Sequence, residues 1–142
     1  MKFSDKILER AIESLNGELA WKRNDVVQAI NELTENKYAI LGGDVWAVGG
    51  NDSPLPRLTQ IDPEKIAVGI IKGKDGQDYV FNWYSNKGQN ETWDDYVNRS
   101  KKETIDSINN MNAEESVSKE LSNSIFYNLV FADKEEFEKL RQ

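Results

Sequence analysis

The sequence predicts an α+β fold: one domain over residues 1–142, with helices packed on a mostly antiparallel sheet of about four to five strands. Three observations carry this. The 142 residues suit one domain with a real core and leave little room for two. Four Trp, five Tyr and five Phe supply the large buried area that a disordered chain lacks. The elements also run helix, helix, strand, hairpin, helix, strand, helix, so helices and strands are partly segregated rather than strictly alternating.

The elements follow in order. Ser4 caps a first helix whose apolar face is Ile7, Leu8, Ala11, Ile12 and Leu15, ended by Asn16-Gly17, since both residues tolerate a left-handed backbone. A second helix starts at Asn24 as N-cap, with Asp25 at the positive end of its dipole and a stripe of Val26, Val27, Ile30 and Leu33. Asn36 ends it. Tyr38–Val48 then reads as a buried strand interrupted by Gly42-Gly43. Residues 49–56 are a loop, and with the three prolines at 54, 56 and 63 the segment to Pro63 is a long surface loop suited to partner contact.

Lys65–Lys72 and Asp78–Tyr84 form a hairpin about Gly73-Lys74-Asp75-Gly76. Tyr79, Phe81 and Trp83 fall on one face of the return strand, with Val80, Asn82 and Tyr84 on the other. A third helix starts near Glu91 or Thr92 and ends at Asn109–Asn112. A short acidic helix follows around Glu114, Glu115 and Glu120. Ser124–Ala132 is apolar on both faces and belongs in the middle of the sheet. Asp133 caps a last helix, with Glu136 completing a capping box and Phe137 and Leu140 docking it.

Composition removes much chemistry. There is no Cys, so no disulfide, thiolate zinc site or cysteine nucleophile. There is no His, which removes the usual general base near neutral pH and the Ser-His-Asp arrangement. A net charge of −7 opposes direct nucleic-acid binding and suits a soluble cytoplasmic protein or one with a basic partner. No signal-peptide core and no long apolar run occur, so no membrane is expected. Asp44, Asp52, Asp62 and Glu64 lack the tight alternating spacing of a calcium loop, and no metal or cofactor is expected. The Gly-Gly pairs lack the Gly-Lys-Ser/Thr of a phosphate loop.

Two groups of residues stand out. Gly inside a strand marks a bulge, a bend or close approach of another backbone, so Gly42 and Gly43 are structural candidates. Asp44 and Trp46 beyond them admit two readings: rim acid and interface anchor, or backbone acceptor and core aromatic. The second group is Glu91, Trp93, Asp94 and Asp95 at the start of the third helix. There an aromatic among acids could meet a basic partner, or the acids could simply complement the helix dipole. Asp52, in the loop, joins the partner-binding candidates.

The segments Asn16–Trp21, Asp25–Leu33 and Ala39-Ile40-Leu41-Gly42-Gly43-Asp44-Val45-Trp46 resemble the bacterial immunity protein 40 family of polymorphic toxin systems. The likeness covers about the first third of the chain; the remainder matches in general acidic, α+β character. It implies a cytoplasmic, non-enzymatic protein that binds and neutralises a cognate toxin domain. Many such toxins are basic nucleases, which an acidic inhibitor suits. Gly42, Gly43, Asp44 and Trp46 are the family-like positions. The competing expectation is a small-molecule or peptide-binding module with a pocket near the Gly42-Gly43-Asp44 bend. A carboxylate-based enzyme is a third possibility.

Overall fold

The computed structural model describes residues 3–14, 16–48, 59–61, 66–68, 70–117 and 121–141. The fold is α+β, built around one long strand, β3 (Ala39–Val48). One flank of β3 pairs antiparallel with β9 (Ile125–Asn128) and β10 (Val130–Ala132). The other flank pairs with β8 (Asn82–Tyr84) and then with β5 (Ile66–Val68). Beyond β9 come β2 (Leu19–Trp21) and β1 (Ile12–Ser14), antiparallel, and β4 (Thr59–Ile61), which runs parallel to β1. A separate hairpin joins β6 (Ile70–Lys72) to β7 (Asp78–Val80), with Gly76 at φ +83° in its turn.

The main core lies between helices α2 (Arg23–Glu35) and α3 (Trp93–Met111) and the inner face of the sheet. Trp21, Ile30, Leu33, Val45, Tyr127 and Ile108 are buried there. Fully burying an aliphatic or Phe side chain of this size contributes about 1.5–3 kcal/mol. A smaller cluster of Ile12, Ala20, Trp46, Val48 and Phe126 lies on the outer face. Two-residue periodicity along β3 produces this division, with Val45 and Ala47 inward and Trp46 and Val48 outward.

Several expectations are corrected. The first helix, α1 (Asp5–Glu9), stops well short of Leu15, and Ile12 becomes part of β1. Asn16-Gly17 is the turn of the β1–β2 hairpin, with Gly17 at φ +83°, because β2 gains a partner in β9 that a longer helix would forgo. α2 starts at Arg23, and its N-cap Lys22 makes no side-chain capping bond, so Asn24 is not the cap. Arg23 instead reaches across to the end of α3, donating to Asn109 at 2.8 Å and Asn112 at 3.3 Å. Val27 lies beside the buried face of α2 rather than within it. The expected Ser124–Ala132 strand is two strands broken at Leu129, although β9 does lie centrally between β3 and β2. Leu140 is exposed; Phe137 alone docks the last helix, α5 (Lys134–Leu140), against Trp93 and Tyr96.

Other local readings match. Thr92 caps α3, accepting from the Asp95 N–H at 3.1 Å, and Asn112 ends it in a left-handed conformation. A short helix α4 (Ala113–Ser116) follows. Asp133 and Glu136 form the capping box of α5. The expected contact loop between residues 49 and 63 lies mostly outside the described residues.

Candidate functional site

Gly42 and Gly43 lie directly across from Tyr84 and Trp83 of β8, before β3 passes to β5 at Trp46. A methyl group on Gly42 would lie 2.9 Å from the Tyr84 Cα, and one on Gly43 would lie 2.6 Å from the Trp83 ring and against the Asn128 carbonyl. Such gaps are too short for a side chain, so the glycines let β8 and the Trp83 indole close on β3. The indole then donates from Nε1 to Thr104 Oγ1 of α3 at 3.2 Å. The Ser100 hydroxyl of the same helix accepts the Ile40 N–H at 3.0 Å, at the irregularity where β10 slips against β3.

Asp44 faces away from α3, on the outer side of the sheet. It is half-buried, and burial raises its carboxyl pKa. Among the described residues the carboxylate has no hydrogen bond or ion pair. Trp46 shares that face but is only 2 % exposed, packed with Ile12, Val48 and Phe126. In this conformation it is therefore core and presents no surface to a partner. Asp52, with Asp62 and Glu64, lies outside the described residues.

Around Asp44 the outer face carries side chains that the sequence reading did not single out. Tyr84 and Val130 lie directly across from Gly42 on its two sides and are 76 % and 44 % exposed. Asn82 lies across from Asp44 on one side. On the other, the flanking pairs Gly42–Val130 and Val45–Tyr127 set Asn128 opposite. Asn128 is wholly buried; its Nδ2 donates to the Leu19 carbonyl at 2.9 Å, and among the described residues its Oδ1 has no donor. The alternation of Val80, Asn82 and Tyr84 against Tyr79, Phe81 and Trp83 was the signal that could have found this face.

The second candidate group comes together at the start of α3. Trp93 is half-buried, donates to the Lys37 carbonyl at 2.8 Å, and packs against Tyr96 and Phe137. Asp94 and Asp95 are exposed, and Asp94 makes a loose 3.4 Å contact with Lys37. Glu91 is committed internally: Arg99 donates to it from Nε and Nη2, each at 2.7 Å, and the Gly88 N–H adds a 2.9 Å bond. Arg99, and then the Gly88 N–H, hold the Glu91 carboxyl down at about 2. Arg99 also pairs with Glu103, which accepts from Ser85 Oγ at 2.8 Å. Glu91 therefore fastens the segment before α3 rather than offering a free charge. This group and Asp44 lie on opposite sides of the sheet.

Two depressions are also present. One, about 800 Å³, is mainly apolar and lined by Phe3, Leu8, Leu19, Tyr38 and Phe131, among others. The other is polar, about 710 Å³, beside Arg23, Asn109, Asn112 and Glu114. Below it the buried Tyr127 hydroxyl donates to Glu114, and burial pushes its pKa up. Among the described residues no group of three or more acids could hold a metal ion, and no helix is long and apolar enough to cross a membrane.

A family model described as Immunity protein 40 matches residues 10–131. No curated protein and no solved structure matches the chain.

Proposed function

The chain belongs to the immunity protein 40 family, and from that membership we propose that it binds a cognate bacterial toxin domain and neutralises it by stoichiometric association. The match over residues 10–131 carries this reading. Immunity proteins are not an enzyme class, and a chain without His or Cys suits inhibition by contact rather than by chemistry. The setting we infer is a polymorphic toxin system, with the protein acting in the cytoplasm of the producing cell.

A net charge of −7 favours a basic partner such as a nuclease domain, because complementary charge accelerates encounter and excludes wrong partners. We assign partner contact to Asp44, Asp94 and Asp95, with the exposed part of Trp93 beside the last two and Asp52 as a further contributor. Gly42, Gly43 and Trp46 support this by shaping β3, and Glu91 by fixing the approach to α3. Co-expression and pull-down with the product of the adjacent gene tests the proposal. Capture at one-to-one stoichiometry and protection of cells from that product are expected; no binding and no protection would overturn it.

The second reading, a small-molecule or peptide-binding module expected near the Gly42-Gly43-Asp44 bend, draws instead on the apolar groove near Tyr38 and Phe131, which none of those three residues lines. Saturable binding of a small ligand there, without any effect of the adjacent gene's product, would favour it.

A further inference from the structure

The outer face of the sheet around Asp44 presents acceptors without donors. The Asp44 carboxylate has no cation or hydrogen-bond donor among the described residues. Across the strand pair, Asn128 Oδ1 is buried and unpaired. Its amide orientation is fixed chemically, because the Leu19 carbonyl can only accept, so NH₂ must face β2 and the oxygen must turn away from it. A buried acceptor without a donor costs about 1–3 kcal/mol, and native structures contain few of them. Asn128 Oδ1 is one such group among the described residues, and the half-buried Asp44 carboxylate beside it adds a charge without a donor, so this place favours donors.

The surroundings narrow the donor. Tyr84 lies across from Gly42, one two-residue step (about 7 Å) along the same face from Asp44. Its ring is 76 % exposed. The space a side chain on Gly42 would take is filled by the Trp83 carbonyl and the Tyr84 Cα, so the exposed Tyr84 ring, not the glycine, offers the way to Asp44. A planar cation that approaches over this ring can stack on it while donating to the carboxylate. A guanidinium has five N–H donors in a fixed fork, so two can engage Asp44 and others remain for further acceptors. An ammonium has three donors and stacks less well.

We propose that this face, centred on Asp44 and Tyr84, is a receptor for an arginine side chain of the partner protein. The proposal rests on the toxin-binding reading and assigns that partner's chemistry at one place. Asp44 supplies the counter-charge and Tyr84 both the stacking surface and the approach. The buried Asn128 oxygen deepens the negative potential at that point. The half-buried setting also distinguishes Asp44 from the solvated acids of α3: its pairing with a cation is screened less by salt.

Two measurements test this. The first uses the protein encoded by the adjacent gene, in an inactivated form, and isothermal titration calorimetry. Asp44→Asn should weaken binding about 30-fold and Tyr84→Ala about tenfold, with the Asp44→Asn loss persisting at 0.5 M salt. Circular dichroism should show both variants folded, because one is isosteric and the other alters an exposed ring. Wild-type binding with both variants within threefold would overturn the arginine receptor and leave the toxin reading standing. Absence of wild-type binding would count against the toxin reading, and the second measurement then decides this inference alone. Methylguanidinium chloride is titrated into the ¹⁵N-labelled protein at constant ionic strength. Saturable shifts at Gly43, Asp44 and the Asn128 side-chain amide that vanish in Asp44→Asn support the receptor. Linear shifts, or shifts unchanged in Asp44→Asn, overturn it.

Discussion

Glu91 and Asp44 are two carboxylates near aromatic residues, and their surroundings push their titration in opposite directions. Glu91 is held at about 2, first by Arg99 and then by the Gly88 N–H. Its folded pKa lies below the ordinary 4.5. The stability it contributes is therefore complete above about pH 4.5 and is lost as pH falls from there through about 2. Carboxyl NMR should give a Glu91 midpoint near 2, and Glu91→Gln should flatten the stability loss across that window. Asp44 has the reverse sign, because burial raises its folded pKa. Its charged form is penalised at neutral pH and relieved as pH falls through the raised value. Asp44→Asn should therefore melt at a higher temperature than the wild type at pH 7, with the gap closing in acid. A gap that is absent or widens as pH falls would contradict the assignment. Gly43→Ala should cost about 3 kcal/mol or more, read by urea unfolding, because its methyl would meet the Trp83 ring and a strand backbone together. The sequence announced the crowding at Gly42-Gly43, because glycine inside a strand has few other uses. It did not disclose that Trp46 is buried in the outer-face cluster while Asp44 keeps half its surface, because both share one face and only the neighbouring strands separate their fates.

Elements were legible where their own residues settle them. The α5 capping box needs only Asp133 and Glu136, and the start of α3 needs only Thr92 and the acids after it. The β1–β2 hairpin was not legible. Ile7, Leu8, Ala11, Ile12 and Leu15 satisfy helical spacing, and Asn16-Gly17 serves a helix end and a hairpin turn equally well. The deciding partner of β2 is β9, more than a hundred positions later, and local pattern cannot see it. The docking of α3 on the sheet is likewise non-local, and two hydroxyls take part, one bonded to β3 and one to β8. Ser100 accepts the buried Ile40 N–H and Thr104 accepts the Trp83 indole N–H. Ser100→Ala and Thr104→Val should each cost about 1–3 kcal/mol, because each leaves a buried donor unpaired. Urea denaturation of the two single variants checks this. Substitution of exposed Asn98 to Gln, on the same helix, should stay within about 0.5 kcal/mol of wild type.

At the scale of the molecule, the two acidic regions are placed to do different work in a complex. Asp44 sits half-buried between Asn82 and Asn128, where a pairing would resist dissociation. Asp94 and Asp95 stand in solvent at the start of α3, where they can steer an approaching partner but hold it weakly. At physiological ionic strength charges act over about 8 Å, so the contribution of such residues lies mainly in the encounter. Reversing both to Lys changes the local charge by four units on a chain of net −7, enough to alter the field a basic partner meets. Against the adjacent gene's product, stopped-flow measurement should show association slowed about tenfold at low salt while dissociation changes less than about threefold. The difference in association rate should shrink toward unity at 0.5 M salt, as screening removes the field from wild type and variant alike. An effect confined to dissociation, or one that survives high salt, would place Asp94 and Asp95 inside the bound interface instead of at its edge.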